Sequence, residues 1–157
     1  MTKTITLAPV RKSLTVKAPR AKAFEVFTSG MSRWWPPTHT ILKAPFKESI
    51  IEPRVGGRWY HVGTDGSTCE TGLVRVWDPP GRLVLVWRLN QKWEYDPDLD
   101  TEVEIRFVAD GASTKVELEH RYIERMGEGG DAARAAVDGP MGWGGILDEF
   151  RKSAEGI

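Results

Sequence analysis

Apolar side chains recur at every second position through the middle of the chain and at spacings of three and four near its end. Val103, Ile105 and Phe107 alternate with Glu102, Glu104 and Arg106, while Val116, Leu118, His120 and Tyr122 alternate with Lys115, Glu117, Glu119 and Arg121. That is the pattern of strands with one buried face. Further strands are predicted over 48–52, 58–62, 70–77 and 83–89, punctuated by Gly56-Gly57, Asp65-Gly66 and Asp78-Pro79-Pro80-Gly81. Val10, Leu14 and Val16 mark a first strand, with Lys12 on the apolar parity and therefore near the sheet's end. Two short helices follow it: one over 20–28, opened by Pro19, and one turn over 31–35 that stops before Pro36-Pro37. A polar loop over 90–100 is interrupted by Trp93 and Tyr95. A weak helix over 131–137 breaks at Gly139-Pro140, and the last helix is predicted from near 140 to about 153, with Trp143, Ile146, Leu147 and Phe150 on one stripe. Strands joined by tight turns pair antiparallel. The pattern thus predicts an α+β fold: a curved antiparallel sheet of six or seven strands around a long C-terminal helix, forming one domain over 1–157.

Composition narrows the function. The 22 basic residues balance the 22 acidic ones, so no global field draws the chain to nucleic acid or an anionic membrane. Cys69 is alone and cannot form an intrachain disulfide. With no segment of membrane-spanning length, this makes a reducing, cytoplasmic setting the expectation, without membrane insertion. His39, His61 and His120 are too scattered for metal-ligand spacing, and the paired glycines lack a phosphate-loop pattern. No metal or cofactor is expected. Seven tryptophans in 157 residues are the unusual feature.

Several landmarks in order resemble the START-like helix-grip superfamily (SRPBCC), in the branch named after the activator of heat-shock protein 90 ATPase. They are Ala18-Pro19 leading to Ala23-Phe24 and Phe27, Gly56-Gly57-Arg58-Trp59, and Gly72-Leu73-Val74 through Trp77-Asp78-Pro79-Pro80. Arg82-Leu83 to Trp87, the strand from Thr114 to His120, and Gly142-Trp143 with Leu147-Asp148 complete the set. The resemblance implies a cavity between sheet and helix that holds lipids, polyketides or hormones elsewhere in the superfamily; it implies no reaction. The branch takes its name from cochaperones with an additional amino-terminal domain, for which this chain has no room.

Turn positions give a first register. Centring a hairpin on Asp65-Gly66 places His61 opposite Glu70 and Trp59 opposite Gly72. Centring the next on Pro79-Pro80 places Val76 opposite Leu83, Val74 opposite Leu85, and Gly72 opposite Trp87. Centring the last on Asp110-Gly111 pairs Ile105 with Val116 and Val103 with Leu118. The concave face then carries Trp59, His61, Glu70, Gly72, Val74, Val76, Leu85, Trp87, Val103, Ile105, Leu118 and His120. With Trp34, Trp35 and Trp143, most of these form the candidate ligand-binding set.

Trp34 and Trp35 either gate a cavity mouth or plug the short helices onto the sheet. His61 and Glu70 form either an acid–base pair or a structural couple at the rim. His120 is either a buried histidine with a local partner or a ligand contact. Gly72, between two indoles, leaves space either for those rings or for a ligand. No residue is singled out as catalytic. The leading expectation is binding of a small hydrophobic ligand, aromatic ones included, with one or two polar handles. One alternative is a cyclase-like or hydrolytic enzyme using His61 and Glu70. Another is a protein-interaction or cochaperone-like module, with Val84 and Val86 on the other sheet face as a homodimer seam.

Overall fold

The computed structural model describes residues 7–156. Seven strands form one antiparallel sheet in the order β1-β7-β6-β5-β4-β3-β2. They are β1 (Val10–Val16), β2 (Phe46–Ile51), β3 (Arg58–Gly63), β4 (Thr68–Asp78), β5 (Arg82–Trp87), β6 (Thr101–Asp110) and β7 (Ser113–Arg121). The first strand returns to pair with the last, and the two short helices after β1 carry the chain to the opposite edge. One is α1 (Arg20–Phe27) and the other a single 3-10 turn at Met31–Arg33. This is the helix-grip architecture the pattern predicts, with seven strands.

The C-terminal helix α3 (Trp143–Glu155) lies in the concave face and buries Trp143, Ile146, Leu147, Phe150 and Ala154. It begins three residues after Pro140, because Gly142 lets the chain fold tightly back on α2 (Gly130–Asp138). A Cβ at Gly142 would stand 2.2 Å from the Val137 carbonyl oxygen, so no other residue fits this elbow undisturbed. Lys12 sits on β1, an edge strand, and reaches Asp138 of α2 at 2.8 Å.

The sheet curls through extra residues that turn-counting alone cannot place. On β4, Thr71 is bypassed between the pairs Trp59↔Gly72 and Tyr60↔Glu70. Arg75 is bypassed between Val74↔Leu85 and Val76↔Val84. Each bulge flips the residues beyond it to the other face and sharpens the twist. Because the β3–β4 turn holds three residues, 64–66, His61 lies opposite Cys69 and Glu70 opposite Tyr60 on the convex side, and the bulge at Thr71 restores the expected Trp59–Gly72 pair. Trp77, not Val76, faces Leu83. The β6–β7 hairpin turns at Gly111-Ala112, which gives Ile105↔Leu118 and Val103↔His120. That is a two-residue offset from the expected register, and it keeps every side chain on its expected face.

On the convex face, Val84 and Val86 are buried beneath a lattice of ion pairs. Arg82, Arg106 and Arg121 reach Glu104 at 2.5, 3.1 and 2.7 Å, and Arg75 and Arg121 reach Glu102 at 2.5 and 2.9 Å. Burial pushes the Glu104 carboxyl up, but hydrogen bonds from Arg82, Arg121 and Arg106 outweigh it and hold the group at about 2. The two valines thus offer no exposed seam for a second copy.

Candidate functional site

Aromatic rings fill the groove between sheet and helix. Trp35, Trp59, Trp87 and Trp143 close into a ring of four indoles: 5.7 Å from Trp35 to Trp59, 5.7 Å to Trp87, 5.7 Å to Trp143, and 6.2 Å back to Trp35. Edge-to-face packing of this kind suits the indole quadrupoles. Every N–H in the ring is already committed. Trp35 donates to the His39 carbonyl (2.8 Å), Trp59 to Ser49 Oγ (3.2 Å), Trp87 to the Leu89 carbonyl (3.0 Å) and Trp143 to His120 Nδ1 (3.1 Å).

The two sheet histidines are held differently. Thr101 donates its hydroxyl to the Trp87 carbonyl (2.9 Å) and so accepts from His120 Nε2 (2.9 Å). His120 Nδ1 accepts from Trp143, which fixes a neutral imidazole protonated at Nε2. Burial lowers its pKa to about 3. His61 shares a 2.8 Å hydrogen bond between Nδ1 and the Thr40 hydroxyl, while its buried Nε2 has no partner. Burial lowers its pKa to about 4. Glu70, expected to meet His61, instead pairs with Arg58 on the convex face. The hairpin closes over three residues, 64–66, which sets Glu70 opposite Tyr60, and the expected acid–base couple does not form. Burial also pushes the Cys69 thiol up, away from nucleophilic thiolate.

Gly72 lies between Trp59 and Trp87 as the register predicts, but the reason for glycine is different. A Cβ there would stand 1.7 Å from the Val86 carbonyl oxygen. The backbone of β5 occupies the space, so neither an indole nor a ligand explains this residue. Val74, Leu85, Ile105 and Leu118 are also sealed in the solid core. Trp34 is held inward, its N–H bonding the Val26 carbonyl (2.8 Å) and its ring packing on Phe27 and Phe150, while one edge lines a cleft toward Pro36.

The open space lies to one side, as a cleft of about 410 Å³. Trp35, Trp87 and Trp143 form its floor, the 38–41 loop one wall, and Ala136, Val137 and Ile146 another. Trp93 and Met141 line it too, 46% and 76% exposed. Its polar side chains are Thr38, Thr40 and His39, and among the described residues no carboxylate lines it. His39 bridges the mouth, with Nε2 2.6 Å from the Met141 carbonyl oxygen and Nδ1 3.0 Å from the Thr38 hydroxyl. A second cleft of about 410 Å³, toward Pro36 and Pro140, lies against the same bridge.

Of the expected ligand-binding residues, Trp35, Trp87 and Trp143 thus meet in the cleft. Trp34, Trp59, His61, Glu70, Gly72, Val74, Leu85, Ile105, Leu118 and His120 do not line it. Trp93, Met141, His39 and the two threonines escaped sequence reasoning because they belong to loops without periodicity. The one available signal was the interruption of a polar loop by an indole. Among the described residues, no group of three or more His, Cys, Asp or Glu side chains is placed to hold a metal ion. No described helix is long and apolar enough to cross a membrane.

Comparison with known proteins agrees with this architecture. An anthrahydroquino-gamma-pyrone synthase, Txn09, is 40% identical, with 94% of this chain and 97% of that one covered and a TM-score of 0.65. The self-sacrificing resistance protein CalC from Micromonospora echinospora is 38% identical, with 94% of both chains covered and a TM-score of 0.70. The Aha1 dimer from Colwellia psychrerythraea, 14% identical over 95% of this chain and 97% of that one, shares the fold with a TM-score of 0.62. No curated protein sequence matches significantly. The profile of the Activator of Hsp90 ATPase homolog 1-like proteins matches residues 17–155, and the chain belongs to that family.

Proposed function

We propose that this protein binds a small, largely apolar ring compound in the cleft beside the four-indole ring. One observation carries the reading. Trp35, Trp87 and Trp143 line the cleft as almost wholly buried rings, with every indole N–H already bonded inside the protein. Such a floor recognises apolar and π surface, and it leaves polar recognition to Thr38, Thr40 and His39 on one wall. The volume suits a ligand of a few fused rings. The relative at 40% identity supports the reading by its name, an anthrahydroquino-gamma-pyrone synthase.

That synthase also favours a second reading, in which the bound compound is converted. Any such reaction would draw on His39 and the two threonines, not on the separated His61 and Glu70. A homodimer would have to use a surface other than Val84 and Val86, and sedimentation at rising concentration decides it.

The test is titration with alizarin, a planar dihydroxyanthraquinone, in the parent protein and in Ala136→Trp. Ala136 is exposed at the cleft wall, so an indole there fills the space without touching the core. One-site binding by the parent and its loss in the variant is the expected result. A parent that takes up no alizarin, or a filled variant that binds as well as the parent, overturns the proposal. Recovery of altered product from the parent would favour the enzymatic reading.

A further inference from the structure

Trp93 stands apart from the buried indoles. It is a bulky residue in the left-handed backbone region, φ 58°, where an asparagine or glycine would sit at less cost. The turn around it is tightly built. Asn90 Oδ1 accepts from the N–H groups of Lys92 (2.9 Å) and Glu94 (3.1 Å), and Trp93 N–H donates to the Asn90 carbonyl (2.9 Å). Leu89 pairs with Tyr95 across the base, and Gln91 reaches the Glu128 carbonyl at 2.7 Å. Strain held in place by this many bonds is the signature of a residue kept for its position. That position is the half-exposed rim of a cleft whose lining also includes Trp35, Trp87 and Trp143.

We propose that Trp93 is the upper jaw of an aromatic clamp, so that the cleft selects planar conjugated ring systems over saturated ones of similar size. This rests on the reading that the cleft holds an apolar ligand. A flat ring entering between Trp93 and the floor is covered on both faces by π surface, which a puckered skeleton cannot match in shape or quadrupole. Met141, exposed on the same cleft, adds a polarizable thioether for the ring edge.

Equilibrium dialysis with two probes tests the clamp: planar alizarin and cholate, a saturated tetracycle. The parent is expected to prefer alizarin. Trp93→Asn, which suits the left-handed backbone, should lose alizarin affinity by about tenfold, the worth of one aromatic contact, with cholate unchanged and a thermal midpoint no lower than the parent's. Trp93→Phe should retain most alizarin affinity. If Trp93→Asn binds alizarin like the parent, or loses both probes equally, the clamp is overturned while the cleft reading stands. If the parent binds neither probe, both ideas fall.

Discussion

The groove between sheet and α3 has two ends made from the same kinds of residue. At one end, Phe24 and Phe27 of α1 pack edge-to-face on Phe107, with Trp77 against Phe24 and Phe150 against Phe27. At the other, four indoles close a ring, but loops share the cover with α2, and a cleft opens. Aromatic content does not distinguish the two ends. The lid does: a helix offers a side chain every turn to fill the space beneath it, whereas the 36–41 and 90–96 loops spend their backbone hydrogen bonds on their own turns and leave a gap. Cavities in such a fold follow the covering segments more than the sheet.

The comparison breaks most directly at the solid end. Phe27 touches Phe107, Trp34 and Phe150, so Phe27→Ala should lose about 4–5 kcal/mol in urea unfolding, with alizarin affinity per folded molecule unchanged. Loss of binding with little loss of stability would reverse the assignment of the two ends.

Acid should strike the open end, where both buried imidazoles lie. His61 and His120 are neutral in the fold, with pKa values near 4 and 3 against an ordinary 6.5. Below pH 6.5 the unfolded chain takes up protons that the folded chain refuses, so stability is complete above 6.5 and declines through the window down to those lower values. Between pH 7 and 5 the pair should cost roughly 4 kcal/mol. Replacing either histidine with glutamine should lower the slope by about half, as one of the two titrating groups is then gone; an unchanged slope would place the acid sensitivity elsewhere.

Smaller effects sharpen the picture. Trp143→Phe leaves His120 Nδ1 without its donor and should cost about 1–3 kcal/mol, read as a lower denaturant midpoint. Trp93→Asn should instead gain up to about 1 kcal/mol by relieving the left-handed backbone, the opposite sign to every core change. A clear loss would mean that the indole is itself a structural support.

Much of the fold was legible because period-2 alternation survives local error. Moving the β6–β7 turn by one residue shifts the pairing by two, and Ile105 and Leu118 still face inward. A one-residue error is different: a third residue in the β3–β4 turn puts Glu70 on the convex face and dissolves a plausible functional pair, and the bulge at Thr71 restores the register beyond it. Nothing in Glu70-Thr71-Gly72 announces it except the glycine, whose close approach to the Val86 carbonyl is visible only once β5 is in place. The cleft was hidden for a related reason. Trp35, Trp87 and Trp143 could be found from parity and helical spacing, but Trp93 and His39 owe their positions to turn hydrogen bonds between residues of no periodic pattern.

The closed ring of indoles also makes the protein its own optical instrument. The ring planes cross at steep angles, from 61° to 88°, and transition dipoles held this near one another couple as excitons. The near-ultraviolet circular dichroism should show paired bands of opposite sign rather than a sum of isolated chromophores. Excitation absorbed anywhere in the ring is shared among its members, so an acceptor seated on the floor of the cleft would drain the emission of all four together, leaving the ring dark as a unit.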